Sequence, residues 1–414
     1  MFESKVCEPV KHCKLKYFTS LFNRKGLPVA DCVSSSQYMQ VPIERVLYMV
    51  MRVFILSVSC GIVAVGALLL VRLMSNVLYF NEWSVAPVSP IYHNLDITAI
   101  ILPVAGVLAG VLLLRKWKFL SPLSSVLNIG SGIPLGPEGV AMNFGVLIGK
   151  HHELLITAGV AAGFAGMFGT PFAAIILVSE LLYKKFILHR IGFIGLAALT
   201  GAAIHMLYFG MGPFFVLPAG SFPSPAAIGL YALIGVITGL SAALLVFVVQ
   251  QLRSFAKGWA WPVASALAVG VAGMYAPEIL GNGIEQTAMM LQGKVTLSLL
   301  ISFSMIKFIL ILFVLGTRTN GGIVLPIISI GAALGILIAL LIQLVFPGTP
   351  LNPPLAAMVG MAALFAGVTR GWLTAIVFAL ECTWQGEGIL PLLFACTISW
   401  MISGWMMKKE APLI

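Results

Sequence analysis

The carboxylate at Glu138 sits in the run GSGIPLGPEGV, residues 130–140, among four glycines and two prolines. Glycine and proline interrupt a span. The helix then restarts near Gly136 or Pro137, because proline suits a first helical turn, where its missing N–H costs nothing. A helix start carries free N–H groups and a positive dipole end, which together hold an anion without a fixed cation. The run GGIVLP at 321–326 offers the same chemistry. Two such starts facing one another make an anion cavity from backbone amides, those of Gly136, Glu138, Gly139, Val140, Ile323, Val324 and Leu325. Amides of this kind bind strongly enough for entry and weakly enough for exit.

Two further acids, Glu180 and Glu381, end apolar helices in matching positions. Each suits a structural role at a helix end, or a proton relay, since an intramembrane acid is a functional candidate by default. No Ser/His pair, Asp pair or HExxH helix is present, and His205 has no nucleophile partner in sight, so no catalytic residue is expected. No Cys/His spacing suggests a metal, and no cofactor is expected.

The elements that must position these groups follow from composition. Of 414 residues, 60% are hydrophobic and only 9% charged, with mean hydropathy +1.04, against about 25% charged in a soluble domain. So few charges cannot build a water-facing surface. Lipid is the other solvent, and it asks for about 20 apolar residues per helix. Such stretches recur from residue 50 to 407, near 50–75, 97–114, 123–149, 153–182, 190–210, 226–251, 259–280, 294–316, 322–346, 353–381 and 388–407, some of them as pairs of half-helices. Helices are the default because backbone groups in lipid must bond within their own segment, and the alternation of a barrel strand is missing. The expected fold is an all-α polytopic membrane protein.

The net charge of +10 has a more ordinary cause than nucleic acid, since cytoplasmic loops collect Lys and Arg. Residues 1–52 are rich in both, residues 73–114 hold neither, and Arg115, Lys116 and Lys118 follow. This pattern places a cytoplasmic segment at 1–49, a transmembrane domain at 50–407 and a short cytoplasmic tail at 408–414. Both termini are then inside, in a multi-pass membrane protein in contact with lipid, with a bacterial inner or plasma membrane as the expected setting.

The chain also repeats itself. Shifted by 201 positions, Ala162, Phe164, Ala165, Gly166, Ala174, Ile175 and Glu180 recur as Ala363, Phe365, Ala366, Gly367, Ala375, Ile376 and Glu381. Shifted by 186, Gly136, Gly145 and Gly149 recur as Gly322, Gly331 and Gly335. The halves run over about 50–211 and 226–407. Inverted halves with broken helices mark transporters and related channels whose site lies at mid-membrane.

With these features the sequence resembles the CLC family of chloride channels and proton-coupled anion exchangers. GPEGV at 136–140 is similar to its G-x-E-G-P signature, GGIVLP at 321–326 to its G-G-x-F-x-P signature, and TPFAAIILVSE at 170–180 to its helix ending in Glu. Gly281-Asn282-Gly283 and Lys307 also fall where similar residues occur. The resemblance implies a homodimer of broken-helix subunits, each with its own path for chloride or a similar anion. It makes Glu138 the gate, a carboxylate that occupies the anion's place until protonated or displaced. It also makes Ser131, in GSGIP, a candidate anion ligand. Departures are Val140 for proline, Val324 for phenylalanine, no tyrosine near Gly386, and no serine motif just after the second span. Leu181 stands where exchangers carry an inner relay glutamate. The expected function is therefore channel-like or weakly proton-coupled anion transport. The alternatives are a proton-coupled chloride or fluoride antiporter, a non-conducting member of the family and a membrane enzyme.

Overall fold

The computed structural model describes residues 43–92, 95–183, 188–218, 225–349 and 351–407. Most of the segment 1–49 and all of the tail 408–414 lie outside the described residues. Among the described residues, seven helices are long and apolar enough to cross a membrane, and no strand occurs.

The first helix, α1 (Ile43–Phe80), has 38 residues and no proline. At 1.5 Å per residue it spans about 57 Å, far more than the roughly 30 Å of hydrocarbon. Helix α2 (Thr98–Lys116) returns, and α3 (Ser121–Gly130) climbs beside it to the glycine-rich break. From there α4 (Glu138–Gly149) starts, followed by α5 (Glu153–Phe168), α6 (Pro171–Val178) and α7 (Leu188–Phe209). The apolar stretches expected at 123–149, 153–182 and 353–381 are each two helices, broken where glycine, proline or a left-handed residue stops the first. The second half holds α8 (Pro225–Phe255), α9 (Ala260–Tyr275), α10 (Ile284–Leu291), α11 (Leu297–Ile301) and α12 (Phe308–Gly316). It ends with α13 (Val324–Val345), α14 (Pro353–Thr369), α15 (Trp372–Thr383) and α16 (Ile389–Met406).

The repeated small residues are where backbones touch. A Cβ on Gly145 of α4 would lie 2.5 Å from the Gly159 carbonyl carbon of α5. In the second half a Cβ on Gly360 of α14 would lie 2.7 Å from Cα of Gly335 on α13. Lipid offers no hydrophobic drive between helices, so they hold together by such close packing. Phe164 and its repeat mate Phe365 both pack on Phe378 of α15, each with ring centroids 5.6 Å apart, which joins the halves.

The bundle has two chemically distinct ends. On α2 and α3, Gly106 faces Ser131 and Gly110 faces Ser124, so the helices are antiparallel. Arg115 and Lys116 therefore lie away from Tyr79, at the same end as Arg52. Arg115 stacks on Trp259, 5.1 Å from the ring centroid, and Arg190 pairs with Glu153 at 2.9 Å. Arg318 donates to the Arg253 carbonyl at 3.3 Å. Arg370 is held by the Trp400 carbonyl and lies over the Trp400 ring.

Candidate functional site

The two breaks meet at the middle of the bundle. The Gly136 N–H donates to the Gly322 carbonyl at 2.8 Å, and the Gly322 N–H to the Gly136 carbonyl at 2.7 Å. This two-bond bridge sets the starts of α4 and α13 against one another. It needs glycine: a Cβ on Gly139 would come within 2.7 Å of the Gly322 nitrogen, and one on Gly322 would strike the Glu138 carboxylate.

Glu138 is the first residue of α4, and only 1% of it is exposed. Its Oε1 accepts from the N–H of Val324 at 2.8 Å and of Leu325 at 3.3 Å, the first turn of the opposite helix. Its Oε2 is buried and has no partner among the described residues. The carboxylate thus occupies a place where a free anion would find the same two amides. The first turn of α13 suits a negative charge through its unbonded N–H groups and its dipole end.

The six backbones expected to hold the ion beside Glu138 do not all face it. Val324 and Leu325 do. The Gly136 N–H is spent on the bridge, and the Val140 N–H donates to the Pro137 carbonyl at 3.0 Å. The cause is the pairing of the loops: the tight bridge turns Gly136 toward Gly322, and the first turn of α4 closes on its own proline. The N–H groups of Gly139 and Ile323 have no acceptor among the described residues. Ser131 caps the end of α3; its Oγ donates to the Asn128 carbonyl at 2.8 Å and faces Gly106 of α2.

Glu180 and Glu381 perform one operation twice, each from its own half onto the other. Glu180 accepts from the N–H groups of Leu373 and Thr374 at 3.2 and 2.9 Å, and from the Thr374 hydroxyl at 2.6 Å. Glu381 accepts from the N–H groups of Phe172 and Ala173 at 3.0 and 2.6 Å. Each carboxylate closes the open start of its repeat-related helix, α15 or α6, as a capping acid does. Leu181, next to Glu180, packs in the apolar core. Sequence reasoning missed Thr374, whose signal is its place two residues into a helix that starts after Gly371. It also missed Tyr79, whose hydroxyl donates to the Ser131 carbonyl at 2.9 Å and steadies the break. Lys307 is fully buried; it donates to the Gly281 carbonyl at 3.2 Å and lies over the Phe303 ring.

Comparison with known proteins gives a family and a fold. A family described as "Voltage gated chloride channel" matches residues 115–404. A protein of Ralstonia nicotianae named as ClcB-like, a chloride channel protein, is 28% identical over 307 residues, 69% of this chain and 71% of its own length. An H(+)/Cl(-) exchange transporter of Vibrio cholerae is 26% identical over 318 residues, 70% of this chain and 67% of its own length. Among solved structures, a slow cyanobacterial Cl-/H+ antiporter superposes with TM-score 0.76 at 18% identity, over 88% of this chain and 96% of the other. A CLC-type fluoride/proton antiporter gives TM-score 0.71 at 21% identity, over 88% and 97%. At such identities the structures speak for the fold: broken helices in two inverted halves.

Proposed function

Because this chain belongs to the voltage-gated chloride channel family, whose members are channels and transporters and not enzymes, we propose that it carries chloride or a similar small anion past Glu138, and that the same carboxyl group takes up and releases protons as the anion passes. The observation behind this reading is the Glu138 carboxylate bonded by Oε1 to the first amides of α13, with Oε2 lacking a partner among the described residues. A protonated Glu138 loses its hold on those amides and leaves them to an anion. In this reading the basic end of the bundle faces the cytoplasm.

Relatives named as exchange transporters favour proton exchange. Leu181 favours the second reading, uncoupled anion flow, since no carboxylate stands at that relay position. One measurement separates them: proteoliposomes under a chloride gradient, with internal pH followed while the voltage is shunted. Exchange drives protons uphill at a fixed ratio to chloride. Uncoupled flow moves chloride without uphill protons, and no anion movement above protein-free controls sinks both.

A homodimer with separate pathways belongs to the same proposal. Mixed dimers with one inactivated copy should keep about half the flux, as expected for a two-fold pair of independent pores. Complete loss would point to a shared pore.

A further inference from the structure

At the end of the bundle opposite Arg52 the mouth is acidic. The segments that meet there, 72–92, 95–97 and 276–286, hold Glu82, Asp96, Glu278 and Glu285 against Arg72, and the Lys307 Nζ comes in beside Gly281 and Gly283. A surface of that sign repels an approaching anion. Arg72 lines a cleft. The cleft lies between the upper part of α1 and the start of α10, walled by Arg72, Ser75, Ile129, Asn282, Gly283 and Glu285 among others. Its free volume, about 20 Å³, admits one water-sized particle, above the roughly 10–15 Å³ that a single such particle needs.

The Arg72 Nε is buried and has no hydrogen-bond partner among the described residues. A buried donor of a charged group left without an acceptor is expensive. Glu285 lies within electrostatic reach of Arg72 and of Lys307, yet no ion pair between Arg72 and Glu285 forms within 4 Å among the described residues. The space between them is thus open to a particle that accepts from Arg72.

The cleft is built on the break that carries Glu138. The Ser75 hydroxyl donates to the Gly130 carbonyl at 3.1 Å, and the Gly281 N–H to the Gly132 carbonyl at 2.9 Å. On its other side, a Cβ on Gly283 would meet the Ser329 hydroxyl at 2.7 Å, and that hydroxyl donates to the Leu325 carbonyl at 2.6 Å. The walls therefore touch both the loop leading into α4 and the first turns of α13.

We infer that this cleft is a second anion site, in which Arg72 holds a single monatomic halide at the acidic mouth before it reaches Glu138. The ligand class follows from the donor and from a space that takes one small particle: a small acceptor such as a halide. Glu285 sets the affinity, since its charge opposes the ion that Arg72 attracts. That the ion sits ahead of Glu138 rests on the anion-transport reading; the binding itself stands apart from transport.

The test uses the full chain, purified, with bromide as the probe. Equilibrium bromide binding is measured by calorimetry, and chloride flux in oriented proteoliposomes is measured against chloride concentration at each end. Arg72→Gln should weaken one class of bromide sites and raise the half-saturating chloride at the Arg72 end by about tenfold, the scale of one lost charge-assisted hydrogen bond. Half-saturation at the basic end should stay put. Arg72→Lys should recover most of the loss, and Glu285→Gln should move the affinity the opposite way, tightening it severalfold. Bromide binding that depends on Arg72 in a protein without flux supports the site and overturns the transport reading. Normal flux with bromide binding and half-saturation untouched by Arg72→Gln and Glu285→Gln overturns the site and leaves the cleft to water. An equal rise at both ends also overturns it, because a general distortion has no preferred side.

Discussion

Glu138→Gln and Glu138→Ala should conduct anions at neutral pH faster than the parent protein and lose its response to acid. In the parent, Oε1 holds the amides of Val324 and Leu325, so the ionised carboxylate excludes a competing anion. Protonation removes the charge that those amides and the α13 dipole favour. Parent flux should therefore rise as pH falls, by up to about tenfold per unit for a single titrating group. Glutamine keeps the shape but neither ionises nor carries a proton; alanine removes the side chain. Over the same pH range each variant should change by less than about twofold, the residue of other, exposed groups. Halide binding should persist, because the amides belong to the backbone. If the protein is an exchanger, both variants also stop moving protons. A pH profile like the parent's in both would mean that Glu138 does no more than cap its helix.

Glu180→Leu and Glu381→Leu should cost the protein its folded state in detergent, seen as aggregation on size-exclusion chromatography and a lower melting temperature. Each substitution strips two backbone N–H groups of their acceptor at a partly buried helix start, and Glu180 also serves the Thr374 hydroxyl. Hydrogen bonds to charged groups contribute roughly 1.5–3 kcal/mol each. Chains unfolded in the membrane find substitute partners, so the net loss per site should be about 2–4 kcal/mol. Glutamine retains a carbonyl acceptor and should restore most of the stability. The same variant separates a capping role from a proton relay. If Glu180→Gln is stable and moves anions but has lost proton movement that the parent shows, Glu180 carries protons; if proton movement survives, it is a cap.

Much of the fold could be read from the sequence because membrane packing writes itself in small residues. The shifts of 186 and 201 positions survive as repeated glycines, since Gly145 with Gly159 and Gly335 with Gly360 are places where two backbones leave no space for a side chain. The runs GPEGV and GGIVLP were visible for the same reason. What stayed hidden depends on pairing across the halves. The Gly136–Gly322 bridge, which neither loop announces alone, takes the Gly136 amide away from the ion, whereas the Val140 bond to Pro137 is a local closure of the first turn of α4. Likewise the matching acids at Glu180 and Glu381 were evident, but not that each reaches into the other half. Ser131 spells a binding loop, yet its hydroxyl is turned by the end of α3. Arg72 is one charge in an apolar run, with no spacing to set it apart, so its cleft appears only once α10 is placed.

The crossing of partners between halves also dictates how the chain can be made. Glu138 waits for donors 186 and 187 residues downstream, and Glu180 for donors 193 and 194 residues downstream. At about 5–20 residues per second of synthesis, roughly 10–40 s pass before either meets its partner. During that time the first half sits at the insertion machinery with two carboxylates and the open start of α6 still uncompensated. A nascent half of this kind has good reason to stay in a wet or chaperoned space and to enter lipid only with its sibling. A chain that stops midway therefore holds two carboxylates, Glu138 and Glu180, without the amides that compensate them in the finished fold.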